Sequence, residues 1–156
     1  MADQPETVRL ELKSGDVTIE LLPQLAPNHV QRVKELTREG FYDGLTFHRV
    51  IAGFMAQTGD PTGTGSGKSS KPNLKAEFSR EPHVRGVCSM ARSNDSNSAN
   101  SQFFICLADA PWLDGQYSVW GRVIAGMEHV DAIKKGSSSN NGAVADPDRI
   151  IQMTLP

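Results

Sequence analysis

One stretch is more informative about the fold than any other: Phe47-His48-Arg49-Val50-Ile51-Ala52-Gly53-Phe54-Met55-Ala56-Gln57-Thr58-Gly59-Asp60. In it, two runs with β-strand character flank a short link. Because alternate residues of a strand share a face, Phe47 and Arg49 are predicted to share a side of the first strand, and Met55 and Gln57 a side of the second. If the two strands pair through the link, one surface holds a guanidinium, an amide and a thioether together.

On either side of this stretch, the chain alternates apolar and polar residues as an antiparallel β protein does. Val8–Leu12 and Val17–Leu22 alternate around the turn signal Ser14-Gly15-Asp16, which predicts a hairpin with one buried face. Helices are predicted from Pro27 or Asn28 to about Glu39 and over Met127–Lys135, and further strands at Thr46–Val50, Phe54–Thr58, Arg85–Met90, Gln102–Leu107, Ser118–Val123 and Arg149–Leu155.

About eight strands with two helices predict a mainly β fold, a closed eight-stranded antiparallel β-barrel capped by two α-helices. Closure would leave no exposed strand edges, and the bulky inward residues are numerous enough to fill a barrel of this size. A chain of 156 residues suits a single domain over 1–156. The long irregular stretches Gly59–Pro72 and Ala91–Ser101 are expected to be either functional or mobile.

The charge and composition of the chain argue against several classes of protein. With a formal net charge of −2 and a pI near 6.1, the chain lacks the basic balance of a dedicated nucleic-acid binder. It has no run approaching the roughly 20 apolar residues of a membrane span, and residues 1–6 lack the pattern of a signal peptide, so a cytoplasmic protein without membrane contact is expected. Cys88 and Cys106 each lie in an apolar run and are expected to be buried thiols. The four histidines are scattered and predict no metal site.

Two later blocks complete the chemically informative residues. Ser101-Gln102-Phe103-Phe104-Ile105-Cys106 adds a second amide and a pair of aromatic rings, and Trp112-Leu113-Asp114-Gly115-Gln116-Tyr117 adds two more aromatic side chains. Together with residues 47–60, these blocks resemble the signature of the cyclophilin family, in a pattern similar to its bacterial branch. The resemblance extends from the early hairpin through Gly40-Phe41-Tyr42-Asp43-Gly44 to Val119-Trp120-Gly121-Arg122-Val123, which is nearly the whole chain.

This resemblance implies a peptidyl-prolyl cis–trans isomerase that assists protein folding without metal or cofactor. Its partners would be proline-containing peptides and unfolded or partly folded proteins. By position, Arg49 corresponds to the family's catalytic arginine, assisted by Gln57 and Phe54. Trp112 matches the tryptophan associated with cyclosporin binding, which makes cyclosporin an expected inhibitor. The residues implied in substrate binding are Met55, Ala91, Arg92, Gln102, Phe104, Trp112, Leu113 and Tyr117.

The chain departs from the best-known eukaryotic cyclophilins at three places. Tyr117 stands in place of a histidine, and Arg92 in place of an asparagine. The loop 93–100 is one residue longer and lacks the glycine usually placed before Ser-Gln-Phe-Phe. These departures put cyclosporin affinity and residue preference around the proline in doubt more than the chemistry, since a backbone contact at Arg92 survives a change of side chain.

An arginine suits the implied reaction for a physical reason. Rotation about an X–Pro bond must cross roughly 18–20 kcal/mol because twisting breaks the amide resonance. The prolyl nitrogen then regains a lone pair, and a guanidinium that donates to it most strongly in the twisted state lowers the barrier. A lone arginine in a strand is normally a solvated residue. Gln57, Gln102 and the apolar set around Arg49 favour the catalytic interpretation.

Other functions fit the same residues less well. A proline-peptide binding module or holdase would usually lack the arginine or the tryptophan, and Arg49 and Trp112 are both present. A barrel that binds a small hydrophobic ligand internally conflicts with the bulky inward residues. The phosphate-loop-like run 65–69 has Thr62 where that motif needs glycine and Pro72 where it needs a helix. A hydrolase built on Ser101 lacks a Gly-x-Ser-x-Gly elbow. No long apolar surface stripe is evident, so a monomer is expected.

Overall fold

The computed structural model describes residues 6–156, apart from the side chain of Ser138. The absence of a signal peptide was expected from residues 1–6, which lie almost entirely outside the described part. In the described part, no helix has the length and apolar character needed to cross a membrane. The strands are β1 (Thr7–Leu12), β2 (Gly15–Leu21), β3 (Arg49–Ile51), β4 (Met55–Thr58), β5 (Val87–Met90), β6 (Phe103–Cys106), β7 (Ser118–Ala125) and β8 (Gln152–Thr154), and the α-helices are α1 (Pro27–Arg38) and α2 (Met127–Asp131).

Each predicted strand and helix is present, with shorter bounds in several cases. The largest difference is at α2, which ends at Asp131 instead of continuing to Lys135. Its last turn tightens, because the Ile133 N–H donates to the Val130 carbonyl three residues back. The Lys134 N–H then leaves the helix and donates to the Asp148 carboxylate at 2.9 Å. A partner distant in sequence therefore ends the helix.

The strands form one curled antiparallel sheet in the order β3-β4-β6-β5-β7-β2-β1-β8. The predicted closure of the barrel is wrong, because no ladder joins β3 to β8 among residues 6–156. Only a single bridge, between Thr46 and Arg149, links the segments that precede these two strands. The outer edge of β3 is occupied instead by residues 142–144: the Val50 N–H donates to the Gly142 carbonyl, and the Val144 N–H donates to the His48 carbonyl.

Bulky side chains fill the concave side of the sheet. Trp120, Tyr42, Phe47 and Phe103 are fully buried there, and the rings of Phe103 and Trp120 meet edge to face at 5.2 Å. This packing agrees with the expected filled interior and argues against a barrel that binds a small hydrophobic ligand internally. Both cysteines are buried as predicted, one on each side of the sheet. Burial raises the pKa of the Cys106 thiol to about 12.

A second, smaller apolar cluster lies on the convex side, and it is the one that positions the site. Neighbouring residues of a strand face opposite ways, so Phe103 points into the main core whereas Phe104 points into this cluster. On β4, Ala56 and Met55 divide in the same manner. Met55, Phe104, Leu113, Cys106 and Val119 belong to the smaller cluster.

Candidate active site

Three polar side chains lie in a line across the convex side of β3, β4 and the start of β6. The two strands pair, and their antiparallel register places Arg49 opposite Gln57 on one surface. Arg49 Nη1 donates to Gln57 Oε1 at 3.2 Å, and Gln57 Nε2 donates to Gln102 Oε1 at 2.9 Å. Each amide thus accepts on one side and donates on the other, which fixes its orientation.

The loop 59–68 holds the far end of this line. Gln102 Nε2 donates to the carbonyl oxygens of Gly65 and Gly67, at 3.0 Å and 2.8 Å. The loop itself closes on the buried Asp60, whose carboxylate accepts from the backbone N–H groups of Thr62 at 2.8 Å and Gly65 at 2.5 Å. Burial acts to raise the pKa of Asp60, but these hydrogen bonds outweigh it and lower the pKa to about 2. The loop is therefore a built part of the site.

A cavity of about 110 Å³ opens beside Arg49. It is well below the roughly 300–1,000 Å³ of sites that enclose drug-sized ligands, and it suits a single small side chain. Nine of the predicted site residues line it: Arg49, Phe54, Met55, Gln57, Ala91, Arg92, Phe104, Leu113 and Tyr117.

The two other predicted site residues lie beside the cavity. Gln102 lines an adjoining depression and reaches the cavity through Gln57. Trp112 is 64% exposed and rests on Phe54, with ring centroids 5.5 Å apart. Its neighbour Leu113 points inward from the 3₁₀ turn Pro111–Leu113 and is buried. Trp112 is thus a rim residue, whereas Trp120 is packed in the core.

Behind the apolar floor lie two buried polar side chains, His83 and Ser89, and an exposed carboxylate, Asp114, that the sequence analysis did not bring together. His83 Nε2 and Ser89 Oγ are 2.7 Å apart, and His83 Nδ1 lies 3.1 Å from Asp114 Oδ1. The His83 ring stacks on Phe104 at 6.3 Å, and burial lowers its pKa despite the Asp114 carboxylate. Although these are the residue types of a serine hydrolase, Ser89 is fully buried and cannot reach a substrate. The group supports the floor of the cavity.

Comparison with known proteins identifies the family. The family described as "Cyclophilin type peptidyl-prolyl cis-trans isomerase/CLD" matches residues 7–155. The chain belongs to the cyclophilins. Members of this family and the relatives below are peptidyl-prolyl cis–trans isomerases, so the predicted family and enzyme class are confirmed.

Relatives of this cyclophilin come from distant organisms. A probable peptidyl-prolyl cis-trans isomerase of Brucella suis is 56% identical over 99% of this chain and 84% of its own length. A Dictyostelium discoideum isomerase, cypE, is 40% identical over 96% of this chain and 97% of its own. A crystal structure of a Cryptosporidium parvum cyclophilin in the presence of the dipeptide Ala-Pro superposes with a TM-score of 0.87 at 29% identity, covering 96% of this chain and 98% of that one.

Two departures of this cyclophilin from the best-known eukaryotic pattern contact each other. The Arg92 guanidinium lies 4.9 Å from the centre of the Tyr117 ring and 5.8 Å from that of Phe78. Arg92 Nε also donates to the Gln116 carbonyl at 2.9 Å. A cation held over an aromatic face is attracted by the ring's quadrupole, so Arg92 and Tyr117 together shape one wall of the cavity.

Asn141 is a second neighbour of the site that the sequence analysis did not identify. Arg49 Nε donates to its backbone carbonyl at 2.9 Å, and Arg49 Nη2 donates to its side-chain Oδ1 at 3.1 Å. The only sequence signal was an Asn-Gly pair in a polar loop, which is usually read as a turn. For metal binding, no group of three or more His, Cys, Asp or Glu side chains comes together within the described residues.

Proposed function

We propose that this cyclophilin accelerates rotation about X–Pro peptide bonds in proline-containing peptides and in unfolded or partly folded proteins. One observation supports the proposal above all: a permanently charged guanidinium, Arg49, stands at the edge of a small cavity whose floor is apolar. The reaction needs no covalent intermediate, since no bond is made or broken when the peptide bond turns.

Arg49 would act by hydrogen-bonding the prolyl nitrogen in the twisted state. A guanidinium has five N–H donors. Among the described residues, three are engaged, one with Gln57 and two with Asn141, and two remain for a substrate. The planar amide nitrogen is a poor acceptor, and the twisted one is a good acceptor. The interaction is therefore stronger in the transition state than in the ground state, which is the condition for catalysis.

The apolar floor would hold the proline ring while the rest of the peptide turns. Phe54, Met55, Phe104 and Leu113 supply this floor. Gln57, Gln102 and the backbone at Ala91 and Arg92 would hold the flanking peptide, with Trp112 and Tyr117 at the rim. A proline ring held in one position keeps its nitrogen oriented toward the Arg49 donors, and this orientation contributes to the rate.

The test is an NMR exchange or protease-coupled assay on an Ala-Pro peptide. The wild-type chain should accelerate isomerisation, and Arg49→Ala should lose at least about 100-fold in kcat/KM, as removal of a transition-state donor does in other enzymes. Arg9→Ala is the matched control, because Arg9 is an exposed strand arginine that forms a 3.7 Å ion pair with the exposed Asp16. Peptide binding without acceleration would refute the proposal in favour of a holdase.

Five further properties belong to the proposal. The chain would fold as a single domain over 1–156, act as a monomer in the cytoplasm, and need no metal or cofactor. Cyclosporin would inhibit it through Trp112, at an affinity lowered by Arg92 and Tyr117. Full activity at micromolar cyclosporin would contradict this last point.

A further inference from the structure

Asn141 accepts hydrogen bonds from the edge of the Arg49 guanidinium that faces away from Gln57. Its backbone carbonyl and its side-chain oxygen accept from Nε and Nη2, two donors on the same edge of the planar group. The side chain of Gln57 accepts from Nη1. Asn141 does not belong to the cavity lining, so its contact is with the arginine and not with a bound proline.

The backbone around Asn141 is fixed relative to β3. The Gly142 N–H donates to the Ser137 carbonyl, and the Gly142 carbonyl accepts from the Val50 N–H, both at 2.8 Å. The Val50 carbonyl in turn accepts from the Gly136 N–H at 2.8 Å. The loop is therefore tied to the strand that carries Arg49, one residue from the arginine itself.

Asn141 also has an unusual backbone conformation. Its φ is +54°, in the left-handed region that most residues avoid and that asparagine and aspartate tolerate. This conformation directs its carbonyl and its side chain toward the same guanidinium. An asparagine is thus one of the few residues that can both adopt the turn and supply a side-chain acceptor there.

We propose that Asn141 is a positioning residue for catalysis, which holds the plane of the Arg49 guanidinium so that its free donors face the cavity. The inference rests on the proposed role of Arg49. An arginine side chain has several rotatable bonds, and two contacts on one edge with a third on the other leave its planar group a single orientation. Loss of the Asn141 side chain would let the guanidinium turn, and the donor would meet the twisted nitrogen less often.

The experiment compares Asn141→Gly with Asp146→Gly in the full chain. Both positions are left-handed non-glycine residues of the same loop region, with φ of +54° and +53°, but only Asn141 contacts Arg49. Glycine suits both turns and keeps the backbone carbonyl of residue 141. We expect Asn141→Gly to lower kcat roughly tenfold, equivalent to about 1.4 kcal/mol, with KM unchanged. Asp146→Gly should leave kcat as in the wild type.

Two more measurements separate positioning from a structural role. Asn141→Asp keeps an acceptor oxygen and tolerates the same turn, so it should restore kcat to within about threefold of the wild type. The ¹⁵N order parameter of Arg49 Nε should fall in Asn141→Gly and stay at its wild-type value in Asp146→Gly.

The inference is overturned if Asn141→Gly keeps wild-type kcat, or if the aspartate variant loses as much activity as the glycine variant. Arg49→Ala distinguishes this failure from that of the proposed function. An inactive Arg49→Ala together with a fully active Asn141→Gly rejects only the role of Asn141. A fully active Arg49→Ala rejects the proposed function itself.

Discussion

Replacing Asp60 by asparagine tests whether its buried charge holds the loop 59–68 beside the site. Asp60 is only 1% exposed. Its Oδ1 accepts from the backbone N–H and hydroxyl of Thr62, at 2.8 Å and 2.7 Å, and its Oδ2 accepts from the Gly65 N–H at 2.5 Å. Asparagine has nearly the same shape, but it carries no charge and presents an N–H₂ group in place of one acceptor oxygen.

The pKa of Asp60 sets the size of the charge effect. The hydrogen bonds lower that pKa to about 2, from an ordinary value of 3.8, although burial acts in the opposite direction. Since one pKa unit corresponds to 1.36 kcal/mol, the folded state favours the carboxylate by about 2.5 kcal/mol. The amide N–H₂ adds roughly 1–3 kcal/mol, because it faces backbone donors that lose their acceptor. Asp60→Asn should therefore cost about 3.5–5.5 kcal/mol at pH 7.

The assay is urea unfolding of both proteins at pH 7, 5 and 2.5. A carboxyl group whose pKa is lowered in the folded state stabilises the fold fully above pH 3.8, and this contribution is lost as the pH falls toward 2. The difference in unfolding free energy between wild type and variant should therefore be constant from pH 7 to 5 and shrink by roughly 2 kcal/mol at pH 2.5.

An exposed aspartate provides the control. Asp95 also lies in a loop beside the site and accepts from the Asn97 N–H at 2.9 Å. Asp95→Asn should change stability by no more than about 0.5 kcal/mol, as exposed substitutions do. If the cost of Asp60→Asn proved equal at pH 7 and pH 2.5, the charge would not be the cause and the reasoning would fail.

Two other predictions concern the line of amides and the buried histidines. Gln57→Leu should lower kcat/KM roughly tenfold, about 1.4 kcal/mol, because it breaks the hydrogen bonds that link Arg49 to Gln102. The control is Gln152→Leu, which changes an exposed glutamine on the edge strand β8. Equal activity of the two variants would refute the role of this link. Burial lowers the pKa of His29 and His83 below 6.5. As the pH falls, the unfolded chain therefore binds more protons at these histidines than the folded chain does. The free energy of unfolding should fall between pH 7.5 and 5.5, by up to about 1.4 kcal/mol per pH unit for each histidine. Urea unfolding across this range checks it, and a flat profile would contradict it.

The local pattern of the sequence was sufficient for the elements and for most of the site. Alternation along a strand decides which side chains share a face, and it correctly predicted one surface for Arg49, Met55 and Gln57. The prediction that Phe47 shares the face of Arg49 is wrong: β3 begins only at Arg49, and Phe47 before it points into the main core. The same rule separates Phe103 from Phe104, one in the core and one on the floor of the cavity. Pairing of neighbouring strands through a short link then fixes their register.

Contacts between segments that are distant along the chain could not be predicted from the local sequence pattern. Asn141 lies 92 residues from Arg49 and reaches it only because the loop 136–144 returns along the edge of β3. That return also explains the wrong prediction of a closed barrel, since an edge covered by residues 142–144 cannot pair with β8. The hydrogen-bonded group of His83, Ser89 and Asp114 likewise comes from three separate segments.

The sequence by itself determined the antiparallel strands, the family and the identity of the arginine and its apolar surroundings, because periodicity and short motifs depend on neighbours along the chain. Only the tertiary structure decided how the sheet ends and which groups hold the Arg49 guanidinium and the loop beside Gln102. Those features depend on contacts between segments that are distant in the sequence, and a loop has no periodic pattern from which such contacts can be predicted.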